Sequence, residues 1–573
     1  MKPLLLLAAA WLIAVAPPAL AQSAVDKPTT SLEAGRFLAA ATFGPTGDDT
    51  EVLMKIGYIA WIDRQLALPA TSHRLTWENS DAAIRAVTPT ATAGQNEVIE
   101  TFWKQAATGP DQLRQRMAFA LSQIFVISMV DGDVGNEPRA VAAWLDMLGD
   151  KGLTTYRQLL ESVALHPMMG RYLSHLRNQK ADPVTGRIPD QNFARESMQL
   201  FSVGVLKLNA DGTPMLVGGA PVETYGPDDV AGLSRVFTGW SWDCPAAPNN
   251  SCFFNGNSGG VSDPDRQWKP MVPYPQFHST EAKTFLGVTI PAQATANPRE
   301  SLRIALDTLA AHPNTAPFIA RQLIQRLVSS NPSPAYVSAV ARVFDNNGAG
   351  VRGDLKAVLR AVLTHPEARV VSSASGKLRE PVLRLSAYLR AFPHTSDTGR
   401  FRNGSTDSAA AALGQTPLRA PSVFNFYRPG YVAPGTQAAV TGLVAPEMQL
   451  VNETSVSGWV NFMRDNLSNG VGAFNGTVGT TVFNRRDLQR NWAQEMEYAS
   501  KPELLARIVA RRLLYGQESD SLVADIATNV ASIAIPALNA EGSNLAAVQS
   551  AMRNRVFSAV LLTLATPEFL TQK

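Results

Sequence analysis

The sequence predicts a mainly α fold: a large multi-helical globular protein with long irregular loops and at most a small β-hairpin. Two patterns and one scarcity carry that expectation. After residue 30, apolar residues recur at three- and four-residue spacing, the period of a helix with one buried face. Pro298, Pro334 and Pro446 stand where helices would begin, a position whose missing N–H costs no hydrogen bond. Strand-like alternation is scarce, and a segment such as Val370 to Ser373 supports no more than a small hairpin.

Taken in order, Pro110 to Met129 carries Leu113, Met117, Ala120, Leu121, Ile124 and Phe125 on one stripe. Arg139 to Leu148 closes at Gly149, as a left-handed cap requires. Further helical patterns run through 153–165, 299–311, 315–329, 334–345, 353–364, 447–468, 486–514 and 541–564. Two irregular zones interrupt them. Residues 241–275 hold both cysteines and Asn-Gly-Asn-Ser-Gly-Gly, and 393–446 are rich in Gly, Pro, Ser and Thr. They divide the chain into a leader at 1–21, helical regions at 22–240, 299–392 and 447–573, and irregular regions at 241–298 and 393–446. Ala320-Arg321-Gln322-Leu323 echoes Ala510-Arg511-Arg512-Leu513, too short a likeness to imply a solenoid.

Composition excludes several classes. Of 573 residues, 51 are Lys or Arg and 48 Asp or Glu, a net charge of +3. Charged residues make up 17% and apolar ones 45%, which excludes a disordered, highly charged chain. So small an excess gives no electrostatic reason to expect a nucleic-acid partner.

The first residues resemble a secretory signal. Lys2 supplies the positive start, Leu4 to Ala16 an apolar run, and Ala19-Leu20-Ala21 the small-x-small cleavage pattern after Pro17 and Pro18. A membrane anchor would need roughly 20 apolar residues, more than this run holds, and no later stretch reaches that length. The expected location is therefore periplasmic or extracellular, after cleavage near Ala21, with no transmembrane anchor. An oxidising compartment favours a disulfide between Cys244 and Cys252, across a Pro/Asn-rich spacer. Two free thiols or half a metal site are the alternatives, and the spacing fits no common zinc pattern.

Candidate chemistry is densest at 190–240. Asp190 can cap and Gly204 can close a helix of about four turns. Asn192, Glu196 and Gln199 share one stripe on it, with Arg195 alongside. Phe193 and Leu200 surround Glu196 with apolar bulk, so its carboxyl is expected to be paired or raised in pKa. A following helix begins at Pro227 and sets Asp229 above Leu233, Val236 and Trp240. Glu196 and Asp229 are thus the expected acid pair for general acid/base work on a glycosidic or ester bond. Pairing of Glu196 with an arginine is the structural alternative.

Of seven histidines, His278 is the functional candidate, since it follows the long loop and precedes Glu281 and Lys283. His312 and His365 precede prolines at helix ends, where a cationic ring suits the dipole. No zinc spacing occurs, and neither metal nor cofactor is assigned. Nor is there a Gly-x-Ser-x-Gly elbow, a phosphate loop or a dinucleotide fingerprint. The segment Phe424-Asn425-Phe426-Tyr427-Arg428-Pro429-Gly430-Tyr431 fits either a groove lining or packing onto the core.

Together these blocks resemble the bacterial family catalogued as Domain of Unknown Function number eighteen hundred. The likeness rests on Thr42-Phe43-Gly44-Pro45-Thr46, Trp61-Ile62-Asp63-Arg64-Gln65-Leu66, Asn192-Phe193-Ala194-Arg195-Glu196, and Asp229-Val230 followed by Arg235-Val236-Phe237-Thr238-Gly239-Trp240. His278 with Lys283, His312-Pro313 and Gly414-Gln415 continue it, from about residue 32 to 570. The resemblance implies an exported protein, encoded in many genomes beside a sulfatase-like exported protein, and work on an envelope or extracellular polymer. It also marks departures: Asp190-Gln191-Asn192 replaces Asn-Glu-Asn, Gln199 a frequent glutamate and Gln123 a frequent histidine.

Two functions follow as expectations. One is a hydrolase-type enzyme acting on a polysaccharide or related polymer. Its catalytic residues would be Glu196, Asp229 and His278, with Asn192, Arg195, Arg235, Trp240, Lys283 and His312 binding. The other is a non-catalytic envelope protein that binds a glycan or assembles with the sulfatase-like partner.

Overall fold

The computed structural model describes residues 26–245, 247–372, 375–478 and 481–573. The leader at 1–21 and Ser373 lie outside the described residues. The fold is mainly α, with short antiparallel pairings between helices: five two-stranded sheets and one of three strands among the described residues. One hydrophobic core runs from Ala34 to Phe569 and so joins all the helical regions.

Three helices form the centre. Gln112–Ser122 and Pro381–Ala391 are buried along almost their whole length, and Thr315–Leu327 nearly so. A helix buried on all sides is normally apolar throughout. These three carry Arg116, Arg326, Arg384 and Arg390 into the interior, each at least nine-tenths buried. The first helix turns out shorter than the periodicity suggests, because the chain leaves it at Gln123 in a series of turns.

The pattern over 486–514 also needs correction. The structure has a strand Thr481–Gln489, a short helix Ala493–Met496 and a helix Pro502–Leu514. The strand pairs with Val471–Val478 on one side and Thr395–Ser396 on the other. Its inward residue includes Asp487, fully buried, whose carboxylate accepts hydrogen bonds from Ser396, Thr398, Arg402 and Asn475. A strand that buries a carboxylate lacks the apolar alternation by which strands are recognised.

The disulfide between Cys244 and Cys252 is present, with 5.7 Å between its Cα atoms. With Phe253 and Tyr274 it makes a small separate core under the loop. No helix among the described residues is long and apolar enough to cross a membrane.

Candidate functional site

The expected helix over 190–204 shrinks to Asn192–Gln199. Asp190 turns its carboxylate onto the Asn192 N–H and forms a local turn, while residues 200–204 fold back so that Phe201 and Val203 enter the core. Glu196 stays on the helix, 6% exposed, and its Oε2 has no hydrogen-bond partner. Burial pushes this carboxyl up, with Arg195 pulling the other way. Ion pairing of Glu196 with an arginine is therefore absent among the described residues.

Asp229 directs both carboxylate oxygens to backbone N–H groups. Its Oδ2 accepts the Gly226 N–H at 2.8 Å and its Oδ1 the Leu286 N–H at 2.7 Å. The carboxylate caps its own helix and braces the turn between strands Lys283–Phe285 and Val288–Ile290. His278 is fully buried between Thr238 and Ser301, hydrogen-bonded at both ring nitrogens, and burial holds its pKa down to about 4. Both of its nitrogens are thus engaged within the fold.

The expected binding residues are taken up by contacts within the fold, two of them around Glu281. Lys283 is buried, donates to the Glu281 carbonyl and is pulled down to about 8 by burial. Arg235 pairs with Glu281 at 3.0 Å. Trp240 lies in the core, and the Asn192 N–H serves the Asp190 turn. Arg195 stays exposed beside Glu196. His312 accepts the Asn314 N–H after its helix, and burial lowers its pKa, so its ring opposes the cationic role expected at a helix end. Among the described residues no group of three His, Cys, Asp or Glu is placed to hold a metal.

A site the sequence did not single out lies beside these residues. A cavity of about 460 Å³ opens between the Thr315–Leu327 helix, the end of the Asn192–Gln199 helix, the arm that follows it, and the segment 423–430. The volume falls within the roughly 300–1,000 Å³ of pockets that enclose small ligands. Phe318, Arg321, Gln322, Gln325 and Arg326 reach it from one stripe of their helix, at the spacing of consecutive turns. Arg428 adds a third guanidinium, stacked over Phe424 with 5.0 Å to the ring centre. Among the described residues no carboxylate lines the cavity, whereas the amides Gln123 and Gln199 do.

The floor explains why the site is cationic. The carbonyl of Arg326, in the last turn of its helix, accepts from Arg116 Nη2 and Lys377 Nζ, each at 2.8 Å. Carbonyls at a helix C-terminus lack intrahelical partners and attract cations. Lys377 also pairs with Glu447 at 2.9 Å. Glu380 Oε2 accepts Gln123 Nε2 at 2.7 Å and Gln415 Nε2 at 2.6 Å. With Arg384, four buried cations meet only two buried carboxylates. Burial pushes the pKa of Arg116 and Arg326 down, and that of Arg384 to about 10. Among the described residues Arg116 Nε and Nη1 and Arg326 Nε have no hydrogen-bond partner, so the cluster holds unspent donors, beside one unspent acceptor, Glu380 Oε1. Arg321, partly buried at the cavity wall, has no ion pair or hydrogen bond among the described residues.

A larger cavity of about 730 Å³ lies near Trp268. Most of its charged side chains already have partners: Asp146 accepts from the Ser72 hydroxyl and the His73 and Arg74 N–H groups, Glu161 pairs with Arg157, and Arg114 with Asp150. Size alone therefore does not mark the better site.

The fold and the cleft define a helical protein with an arginine- and glutamine-lined cavity. Residues 36–571 match the family model described as protein of unknown function (DUF1800), and the chain belongs to that family. Neither the curated proteins nor the solved structures give a match.

Proposed function

We propose that this protein binds an anionic ligand with an apolar portion in the arginine-lined cavity, as an exported binding protein of the cell envelope. The carrying observation is a lining with three arginines and no carboxylate, set over a cluster with excess buried positive charge. Guanidinium groups recognise carboxylate and phosphate through paired, charge-assisted hydrogen bonds. Ile124, Leu200, Leu206, Leu208, Phe318 and Val423 supply the apolar wall that an alkyl or aryl portion would cover. Export rests on the leader pattern and the disulfide, and amino-terminal sequencing of protein from the native host should begin at Gln22.

Titration of dodecyl phosphate into the purified protein tests the reading. Binding should be saturable and stronger than that of dodecanol. Arg321→Gln should weaken it roughly 10- to 100-fold, the worth of one charge-assisted hydrogen bond. Equal binding by the variant, or no preference for the phosphate, overturns the proposal.

The hydrolase reading keeps one observation in its favour. Glu196 is a buried carboxyl whose Oε2 has no hydrogen-bond partner among the described residues, pushed towards its protonated form, one turn from Gln199 in the cavity wall. Such a group is a candidate general acid. A panel of acidic polysaccharides and phosphate esters, assayed with Glu196→Gln alongside, decides it: hydrolysis that survives in the variant removes Glu196 from the chemistry.

A further inference from the structure

The arginine-lined cavity also holds an acceptor that its neighbours leave unmet. Gln325, 4% exposed in the cavity wall, donates from Nε2 to the Ser330 carbonyl at 3.0 Å and the Pro429 carbonyl at 3.2 Å. Two carbonyl partners fix which way this amide is turned, because only its nitrogen can donate. Its Oε1 is then an acceptor with no hydrogen-bond partner among the described residues. One turn earlier, Gln322 Nε2 reaches the Leu200 carbonyl only at 3.5 Å, the outer limit of a hydrogen bond. Arg321, next in the chain, has a guanidinium with no ion pair or hydrogen bond among the described residues.

One stripe of the Thr315–Leu327 helix thus offers a cation, a weakly held donor and an unmet acceptor, at three- and four-residue spacing. A buried acceptor without a donor costs free energy, so the best ligand brings a donor as well as an anion. An ionised phosphate monoester brings acceptors alone. An N-acylated α-amino acid brings every complement. Its carboxylate suits a guanidinium, the adjacent N–H a carbonyl oxygen, and its acyl carbonyl an amide donor. Leu200, Val205 and Phe318 supply apolar wall for its side chain. Arg326 Nε, in a residue 4% exposed and also in the cavity wall, is a further donor without a partner among the described residues.

We infer that the cavity takes an N-acylated α-amino acid with an apolar side chain, its carboxylate held by Arg321 and its amide N–H by Gln325 Oε1. This rests on the cavity's reading as a site for an anion with an apolar portion, and deepens it by naming the chemical class. The carboxyl end of a peptide and a fatty-acyl amino acid share that chemistry. In calorimetric titration of the purified protein, acetyl-Ala-Leu or dodecanoyl-leucine should bind saturably, and the tighter of the two names the source. Replacing the leucine N–H by oxygen, an ester for the amide, should weaken binding at least roughly tenfold, because the ester oxygen cannot donate to Gln325. Converting the carboxylate to a carboxamide should weaken it by about as much. Gln325→Met should bring the amide and ester forms towards equal affinity, whereas Arg321→Gln should weaken both alike. Amide and ester bound equally by the wild-type protein, or carboxamide bound as tightly as acid, would each overturn the assignment, and neither comparison requires a variant to fold. Binding of dodecyl phosphate with no binding of either acyl amino acid would overturn it while leaving the cavity reading intact. Binding of none of the three would overturn both.

Discussion

Replacing Glu447 by Gln strands a charge at the floor of the cavity. Lys377 and Glu447 pair at 2.9 Å with side chains 0% and 2% exposed, so neither charge has water to fall back on. Lys377 retains one partner, the Arg326 carbonyl at 2.8 Å, which is neutral. Breaking a buried pair from one side costs about 3–5 kcal/mol, because the remaining ion keeps its desolvation penalty without its counter-charge. Ser330 adds a hydrogen bond at 3.4 Å to the other oxygen, too long to change that range. Urea unfolding followed by circular dichroism, with refolding checked, should place Glu447→Gln about 3 kcal/mol or more below wild type. Lys377→Met with Glu447→Leu removes both charges and should cost far less than the two single changes together, since hydrophobic replacement of a buried pair is often neutral. A single-variant cost under about 1 kcal/mol, the range of exposed pairs, would refute the buried placement of the cluster.

Acid should destabilise the fold through its histidines. Burial holds His166 down to about 3 and His175, His278 and His394 to about 4, against an unfolded value near 6.5. The unfolded chain therefore binds more protons in this window, and stability present above pH 6.5 is lost as pH falls towards 4; equal urea midpoints at pH 7 and pH 5 would contradict this. Glu196 has the opposite sign: its raised carboxyl favours the fold when protonated, so Glu196→Gln should raise the midpoint at pH 7 and lose that advantage towards pH 4. A lowered midpoint at pH 7 would show that the carboxylate is paired. Gly232→Ala should be strongly destabilising, because a Cβ there would sit 1.7 Å from the Thr284 carbonyl oxygen, and a melting temperature within a degree or two of wild type would disprove the close packing of helix on strand. Cys252→Ser should cost about 2–3 kcal/mol by releasing a short loop, read by urea unfolding under non-reducing conditions; no change would mean that the small core under the loop holds without the bond.

The candidate site was legible only in part. The stripe of Arg321, Gln322, Gln325 and Arg326 is a polar face on a helix whose length and surroundings are apolar, a signal present at helical spacing in the sequence itself. By itself such a stripe predicts a face turned to water. The aromatic segment at 424–431 fits either a groove lining or packing onto the core, and it does both: Phe424, Arg428, Pro429 and Gly430 line the cavity while Asn425 and Tyr427 are buried. The partners of Asp229 have a local reason: a carboxylate in the first turn of a helix lies within reach of backbone N–H donors.

From the chain alone came the helical class, the family likeness and the closing of the cysteine loop. Each depends on residues a few positions apart, where periodicity and loop length dictate the outcome. Tertiary structure alone decided which carboxyl stays unpaired and which arginines converge. Desolvation and net local charge are sums over everything packed nearby, and here Arg116, Arg326, Lys377, Glu380 and Glu447 arrive from distant parts of the sequence.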